Sequence, residues 1–307
     1  MSRLRRILRV GLPFVVSGSL LFWLLARFDF RAVMAELSPH VAAVLLPALA
    51  LYGAASLFLE AQSLVRVFAS SAQPIDVWTG ARVRAASYLF QLFHNLLGAG
   101  VMAVLLRRRT GLSLADAGGA VAFVSVLDLG VMLVLGTIVL VEEPISRVGL
   151  SLLAIGGIAG GLALLRSPVD LGPLERLRAL AIFRAPRTTP LRPLIELVVL
   201  RITFVATFVG IAASALLAFD VHVPLAPLIT GVVGVAVVAA LPIALAGLGT
   251  GQAAFVYLFR DYADPQTLLA CSLALSAGLL ALRGALGLFF ARELTQEALE
   301  AAREIEV

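Results

Sequence analysis

Residues 225–260 read LAPLITGVVGVAVVAALPIALAGLGTGQAAFVYLFR, and this stretch decides the fold. An apolar run reaches Pro242, breaks over Gly247, Gly249 and Gly251, and resumes as a short apolar helix ending at Arg260. A glycine cluster at membrane depth leaves backbone groups outside any helical ladder. Lipid cannot satisfy them, so such backbone is buried in protein or lines a wet cavity. Broken helices of this kind are where transporters hold their cargo.

The remainder of the chain fits that setting. Its 307 residues are 61% hydrophobic and 14% charged, with a mean hydropathy of +1.01. A soluble domain is nearer a quarter charged, so the composition indicates a polytopic membrane protein. No long polar block is present, and no soluble catalytic domain is expected. The single cysteine, Cys271, lies in an apolar run, which excludes an intrachain disulfide framework. His40, His94 and His222 are far apart and lack cysteine partners, so neither a metal site nor a cofactor is expected. All 24 basic residues are arginine, and the net charge is +5. That charge suits positive cytoplasmic loops better than nucleic-acid binding, since no soluble basic domain carries it.

A bilayer core needs about 17–25 apolar residues per helix. Runs 10–26, 41–59, 116–141, 148–166, 194–219 and 266–290 meet or approach that length, whereas 86–106 and 225–260 are interrupted. The run 10–26 leads into ARFDF rather than a small-residue cleavage site, so it reads as a retained first span. Arginine placement orients the spans. Arg3, Arg5, Arg6 and Arg9 put the N-terminus in the cytoplasm, and Arg66, Arg82 and Arg84 follow the second span on the same side. If 86–106 crossed the membrane, Arg107–Arg109 would lie outside. If it dips in and returns, breaking at His94, Asn95, Gly98 and Gly100, the triplet stays inside. The re-entrant reading is preferred. Glu142 and Glu143 then lie outside, and the arginine-rich loop 167–193 lies inside. With 225–260 also re-entrant, Arg292 and Arg303 place the C-terminus inside. The competing reading makes 225–245 a full span.

The expected fold is therefore an all-α membrane domain over 1–307, with about six spans and two re-entrant or broken hairpins. Pseudo-repeats cover roughly 10–141 and 148–290. Gly100 and Gly249 are 149 residues apart, and the third-span starts, 116 and 266, are 150 apart. The hairpins enter from opposite sides. This is an inverted repeat of the sort that supports alternating access.

Three segments carry a resemblance. LPIALAGLGTGQAAFVYLF (241–259) is similar to the Leu-Pro…Gly-Gly-Leu-Gly-Val-Arg-Glu pattern of the membrane-embedded part of lysylphosphatidylglycerol synthases and their stand-alone, flippase-like relatives. Pro242, Gly247, Leu248 and Gly249 match; Ala246 replaces a glycine, and Gly251 and Gln252 replace the Arg-Glu pair. In LFHNLLGAGVMAVLLRRRTGLS (92–113), Asn95 and the basic end match, while the Pro-Gly-Arg core of the pattern does not. In VLDLGVML (126–133), Asp128 matches; just before it, Val124 and Ser125 replace a Glu-Arg pair. Arg283 falls where relatives often carry an arginine in the last span. The missing charges mark a divergent member. The resemblance implies lipid translocation, or a membrane partner for a separate glycosyltransferase or lipid-modifying enzyme. The aminoacyl-transfer domain is absent from this sequence, so phospholipid lysinylation is not expected, nor any catalytic residue.

Ionisable residues within spans are functional hypotheses by default. Asp128 lies twelve residues into its run, about 18 Å deep. A charge there costs roughly 3 kcal/mol on insertion scales, so a partner or protonation is expected. A plain helix–helix hydrogen bond competes with a functional role. Arg201 and Arg283 each lie about 10 Å from the cytoplasmic end. Snorkelling to the headgroups competes with a basic pocket for the phosphate of an anionic lipid, with Asp128 as counter-ion. Asn95 sits at the first break and Gln252 at the second. There the positive end of a half-helix would face an anion, unless these side chains only satisfy broken backbone. Glu60 and Arg66 read as interfacial, 171–184 as an interfacial amphipathic helix, and Trp78 as an interfacial anchor.

Overall fold

The computed structural model describes residues 38–69, 74–91, 95–140, 144–168, 172, 175–240 and 249–305, and among these it contains helices and no strand. The long helices are α1 (Pro39–Val67), α2 (Val77–Gln91), α3 (Asn95–Thr110), α4 (Leu114–Leu140) and α5 (Pro144–Arg166). Two short helices follow, α6 (Glu175–Arg178) and α7 (Arg184–Thr188). The chain continues through α8 (Leu191–Ala218), α9 (Leu225–Ala240), α10 (Thr250–Phe259) and α11 (Pro265–Ile305).

Local chemistry sets four of the helix starts. The Ser38 hydroxyl accepts from the Val41 amide at 3.3 Å, just before Pro39 takes the first helical position. Asp264 accepts from the Gln266 and Thr267 amides at 2.9 and 3.0 Å, ahead of Pro265. These bonds and the Thr267 hydroxyl hold the Asp264 carboxyl below its ordinary range. Proline at that position forgoes an amide that the helix could not use. Ser113 and Asp116 form a reciprocal cap at α4, with the Asp116 amide 3.1 Å from the Ser113 hydroxyl. Asp76 caps α2 through the Thr79 amide at 3.2 Å. Two helix ends use left-handed backbone: Gly111 after α3, at φ +67°, and Asp220 after α8, at φ +57°. At the latter, the Val221 amide closes back on the Leu216 carbonyl at 2.9 Å.

Among the described residues, five segments are long and apolar enough to cross a bilayer: Pro39–Val67, Leu114–Thr137, Val148–Arg166, Leu191–Ala218 and Pro265–Phe290. The chain is a multi-pass helical membrane protein. These segments match five of the six runs read from sequence; 10–26 lies outside the described residues. Several helices exceed their apolar runs. In particular, α1 continues through Leu-Val-Arg-Val to residue 67, and α11 continues through a polar tail to residue 305.

Both interrupted stretches form helical pairs. Arg84 on α2 reaches Met102 on α3 at 3.9 Å, and a Cβ on Gly98 would meet Gln91 at 2.8 Å. The two helices therefore run antiparallel. The pair begins at Val77, earlier than expected, and residues 92–94, with His94, lie outside the described residues. Gly98 and Gly100 are helical and break nothing. In the second pair, Gly231 faces the Phe259 ring and Gly234 faces Leu258, so α9 and α10 are also antiparallel. Gly251 lies within α10. Gly247 falls outside the described residues.

The amphipathic helix expected over 171–184 does not form as one piece. It is divided into α6, a 3-10 turn at Ala181–Phe183, and α7. Leu180 is extended, at φ −59° and ψ 143°, which ends the helical path. The Arg178 side chain turns back to donate to the Leu165 carbonyl at 3.0 Å and to that of Ser167.

The chain groups into two compact units, residues 53–131, 151–205 and 281–307 in one, and 1–52, 132–150 and 206–280 in the other. In the first, Leu64, Phe68, Leu106, Ala117, Leu194 and Leu197 belong to one buried cluster. It gathers the ends of α1 and α3 with the starts of α4 and α8. Between helices in lipid the hydrophobic effect adds little, so close packing of small residues matters more. Gly80 fits this rule, since a Cβ there would meet the Ala61 carbonyl oxygen at 3.0 Å. In the second unit, Leu268, Leu269 and Cys271 are fully buried on α11, and Gly278 receives the Leu49 side chain.

Candidate functional site

Five charged side chains and a tyrosine meet inside the unit formed by 53–131, 151–205 and 281–307. They come from five helices: Glu60 (α1), Arg84 and Tyr88 (α2), Asp128 (α4), Arg201 (α8) and Arg283 (α11). Glu60 lies seven residues before the end of α1, and Arg84 seven after the start of α2, each about 10 Å along its helix. Arg201 and Asp128 are deeper, about 15 and 21 Å from the starts of theirs.

Glu60 is buried and receives two donors, Arg84 on one carboxylate oxygen and the Tyr88 hydroxyl on the other. Arg84 and Tyr88 are one helical turn apart, so both project from the same face of α2. The arginine also stacks on the tyrosine ring, its guanidinium 5.0 Å from the centroid. One cation and one hydroxyl hold the carboxylate fixed in orientation. Glu60, expected at the interface, is buried within the protein rather than exposed. Its apolar run ends near residue 59, but the helix carries on to Val67, and this leaves Glu60 inside.

Arg201 is 1% exposed. One terminal nitrogen donates to both Asp128 oxygens, at 3.3 and 3.4 Å, and the other donates to the Leu59 carbonyl at 3.3 Å. The Phe204 ring lies 4.8 Å away, and the Nε is buried without a hydrogen-bond partner. Snorkelling is therefore not what Arg201 does: the side chain turns inward to an acid. The expected Arg201–Asp128 pairing is present. Glu60 lies in the field of Arg201, and Asp128 in the fields of Glu60 and Arg84, so the two ion pairs form one electrostatic group.

Arg283 is half-buried, its guanidinium 5.9 Å from the Tyr88 ring. Among the described residues it faces no carboxylate. Tyr88 thus stands between Arg283 and the Glu60–Arg84 pair. The group holds three arginines against two carboxylates, an excess of one positive charge. The half-exposed members are Arg283 and Asp128, whose side chain is 27% exposed.

The other sequence candidates sit elsewhere. Asn95 is the first residue of α3, and its side chain lies outside the described residues. Gly249 and Gln252 belong to the second unit. Gly249 adopts φ +88°, a conformation that suits glycine, and its amide donates to the Gln252 Oε1 at 2.6 Å. The Gln252 Nε2 donates to Ser276 at 3.0 Å, and the side chain is 2% exposed. Both ends of that amide are therefore committed to protein. The described residues contain no cluster of acid, cysteine or histidine side chains able to hold a metal.

Sequence reasoning found Asp128, Arg201 and Arg283 but missed Glu60, Arg84 and Tyr88. The Arg84–Tyr88 spacing of four on a helix was the available signal. Arg84 fell in a stretch read as cytoplasmic, whereas Tyr88 fell in the re-entrant stretch 86–106.

The family model described as the lysylphosphatidylglycerol synthase TM region matches residues 10–287. Among curated proteins, none matches the chain. The match covers the main body of the chain, which therefore belongs to this family.

Proposed function

We propose that this member of the lysylphosphatidylglycerol synthase transmembrane family translocates an anionic lipid, or a lipid-linked headgroup, across the cytoplasmic membrane. It does so without an enzymatic step of its own. The observation that carries this reading is the excess of guanidinium over carboxylate in the buried group of Glu60, Arg84, Asp128, Arg201 and Arg283. A phosphate beside Arg283 balances that charge, and the planar fork of arginine suits it. Arg201 and Asp128 hold the surrounding helices. Arg283 makes the contact with cargo, a narrower role than joint binding by Arg201 and Arg283. Both carboxylates are already ion-paired, which favours charge balance over acid–base chemistry.

In this reading α2–α3 and α9–α10 are re-entrant hairpins of an inverted repeat, with both termini cytoplasmic. The antiparallel limbs of each pair support it, as do the arginines at the end of α3. Gln252 fixes the start of α10 by accepting from the Gly249 amide. Reconstitution into liposomes with a fluorescent phospholipid, followed by a sidedness assay, tests the proposal. Lipid exchange faster than in protein-free liposomes supports it. A folded, lipid-retaining protein that moves none fits a scaffold for a separate lipid-modifying enzyme instead.

A further inference from the structure

A second basic site lies apart from the buried group, at the ends of helices. A cleft of about 810 Å³ opens between the start of α4, the end of α5 and the 178–188 segment, all in one compact unit. Its walls carry Arg166, Arg178, Arg184 and Arg187 against a single carboxylate, Asp116.

The way these arginines are held is informative. Arg166 donates through Nε to the Pro186 carbonyl at 2.9 Å and also reaches the Thr189 carbonyl. Arg178 is buried and donates to the carbonyls of Leu165 and Ser167, with Glu175 at 3.3 Å. Arg187 donates to the Arg178 carbonyl at 3.3 Å. Carbonyl acceptors fix a guanidinium in place but leave its charge standing. Arg184 alone among the four pairs with Asp116. Counting Glu175 as well, these four cations face two acids among the described residues. Arg166 and Arg187, held by carbonyls rather than acids among the described residues, are preorganised for an anion, and a guanidinium's five donors exceed the bonds these two make to carbonyls.

We propose that this cleft binds a phosphate ester, separately from the buried translocation group. The volume greatly exceeds that of a bare phosphate ion. Leu165 and Leu180 give the cleft apolar wall as well, and Leu180 is 50% exposed. That combination fits the glycerol-phosphate portion of an anionic lipid headgroup. A soluble phosphate ester shares the same chemistry.

Full-length protein in phosphatidylcholine nanodiscs containing a minority of phosphatidylglycerol provides the test, with retained lipid counted by native mass spectrometry. R184Q/R187Q should retain phosphatidylglycerol about tenfold more weakly, the equivalent of one charge-assisted contact. R176Q removes an exposed charge from the same segment, outside the cleft wall, and should retain lipid like wild type. Because Arg184 also holds Asp116, R187Q alone is measured as well, with thermal unfolding to confirm folding. Displacement of the lipid by glycerol 3-phosphate assigns a soluble ester; resistance to it assigns a lipid. Unchanged retention in R184Q/R187Q, or an equal loss in R176Q, overturns the proposal. R283Q keeps this site while losing transport, so failure of one reading is distinguishable from failure of the other.

Discussion

Arg201 and Asp128 are 73 residues apart in sequence, yet one arginine nitrogen spans both carboxylate oxygens at 3.3 and 3.4 Å. The arginine is almost wholly buried, whereas the aspartate keeps a partly exposed edge. Removing only the acid strands a cation among apolar side chains and the Leu59 carbonyl. Breaking a buried pair from one side typically costs about 3–5 kcal/mol, while removing both partners is far milder. D128N should therefore lower thermal stability in detergent strongly, and D128N/R201Q should recover most of the loss. A double variant no better than the single one would show that the pair does not act as a unit.

The Tyr88 hydroxyl donates to Glu60. Y88F leaves the ring beside Arg283 but removes that donor, at a cost of about 1–3 kcal/mol for a buried acceptor left short. E60Q should cost more, because Arg84 then loses its acid. Thermal unfolding of the two variants, compared with wild type, gives the order E60Q below Y88F below wild type.

Gly249 opens α10 at φ +88°. A Cβ in this sparsely populated positive-φ conformation costs about 1–3 kcal/mol, so G249A should destabilise by that amount. G249L should abolish transport as well, because it displaces the start of α10, the second limb of that hairpin. Full transport by G249L at normal expression would show the glycine break to be an ordinary loop.

Cys271 is fully buried and free, so introduced cysteines can be read against a quiet background. A cysteine at Arg108 should react with membrane-impermeant reagent only from the cytoplasmic side. One at residue 143 should react from outside. Labelling of position 108 from outside would make 86–106 a full span.

Much of the architecture was legible in the sequence because its signals are local. Apolar runs gave five spans. Gly249 announces a special turn, and the caps at Ser38, Asp76, Ser113 and Asp264 are equally local, though helix starts were not read from them. The network was only half legible, since its bonds join residues 24, 28 and 73 apart, which no local pattern encodes. Glu60 was misplaced because hydropathy fades before its helix ends. The 171–184 segment was misread for a related reason. Its alternation suggested one amphipathic helix, but Arg178 folds back onto the end of α5 and leaves no continuous helix.

In the proposed function, the positive excess beside Arg283 carries an anionic headgroup through the membrane. The most direct measurement is fluorescent phosphatidylglycerol exchange in liposomes containing wild-type or R283Q protein, matched for folding and insertion. The account predicts rapid exchange with wild type and at least about a tenfold slower rate with R283Q, as expected from losing one charge-assisted contact. Equal rates for the two proteins, or a wild-type rate no faster than empty liposomes, would contradict it.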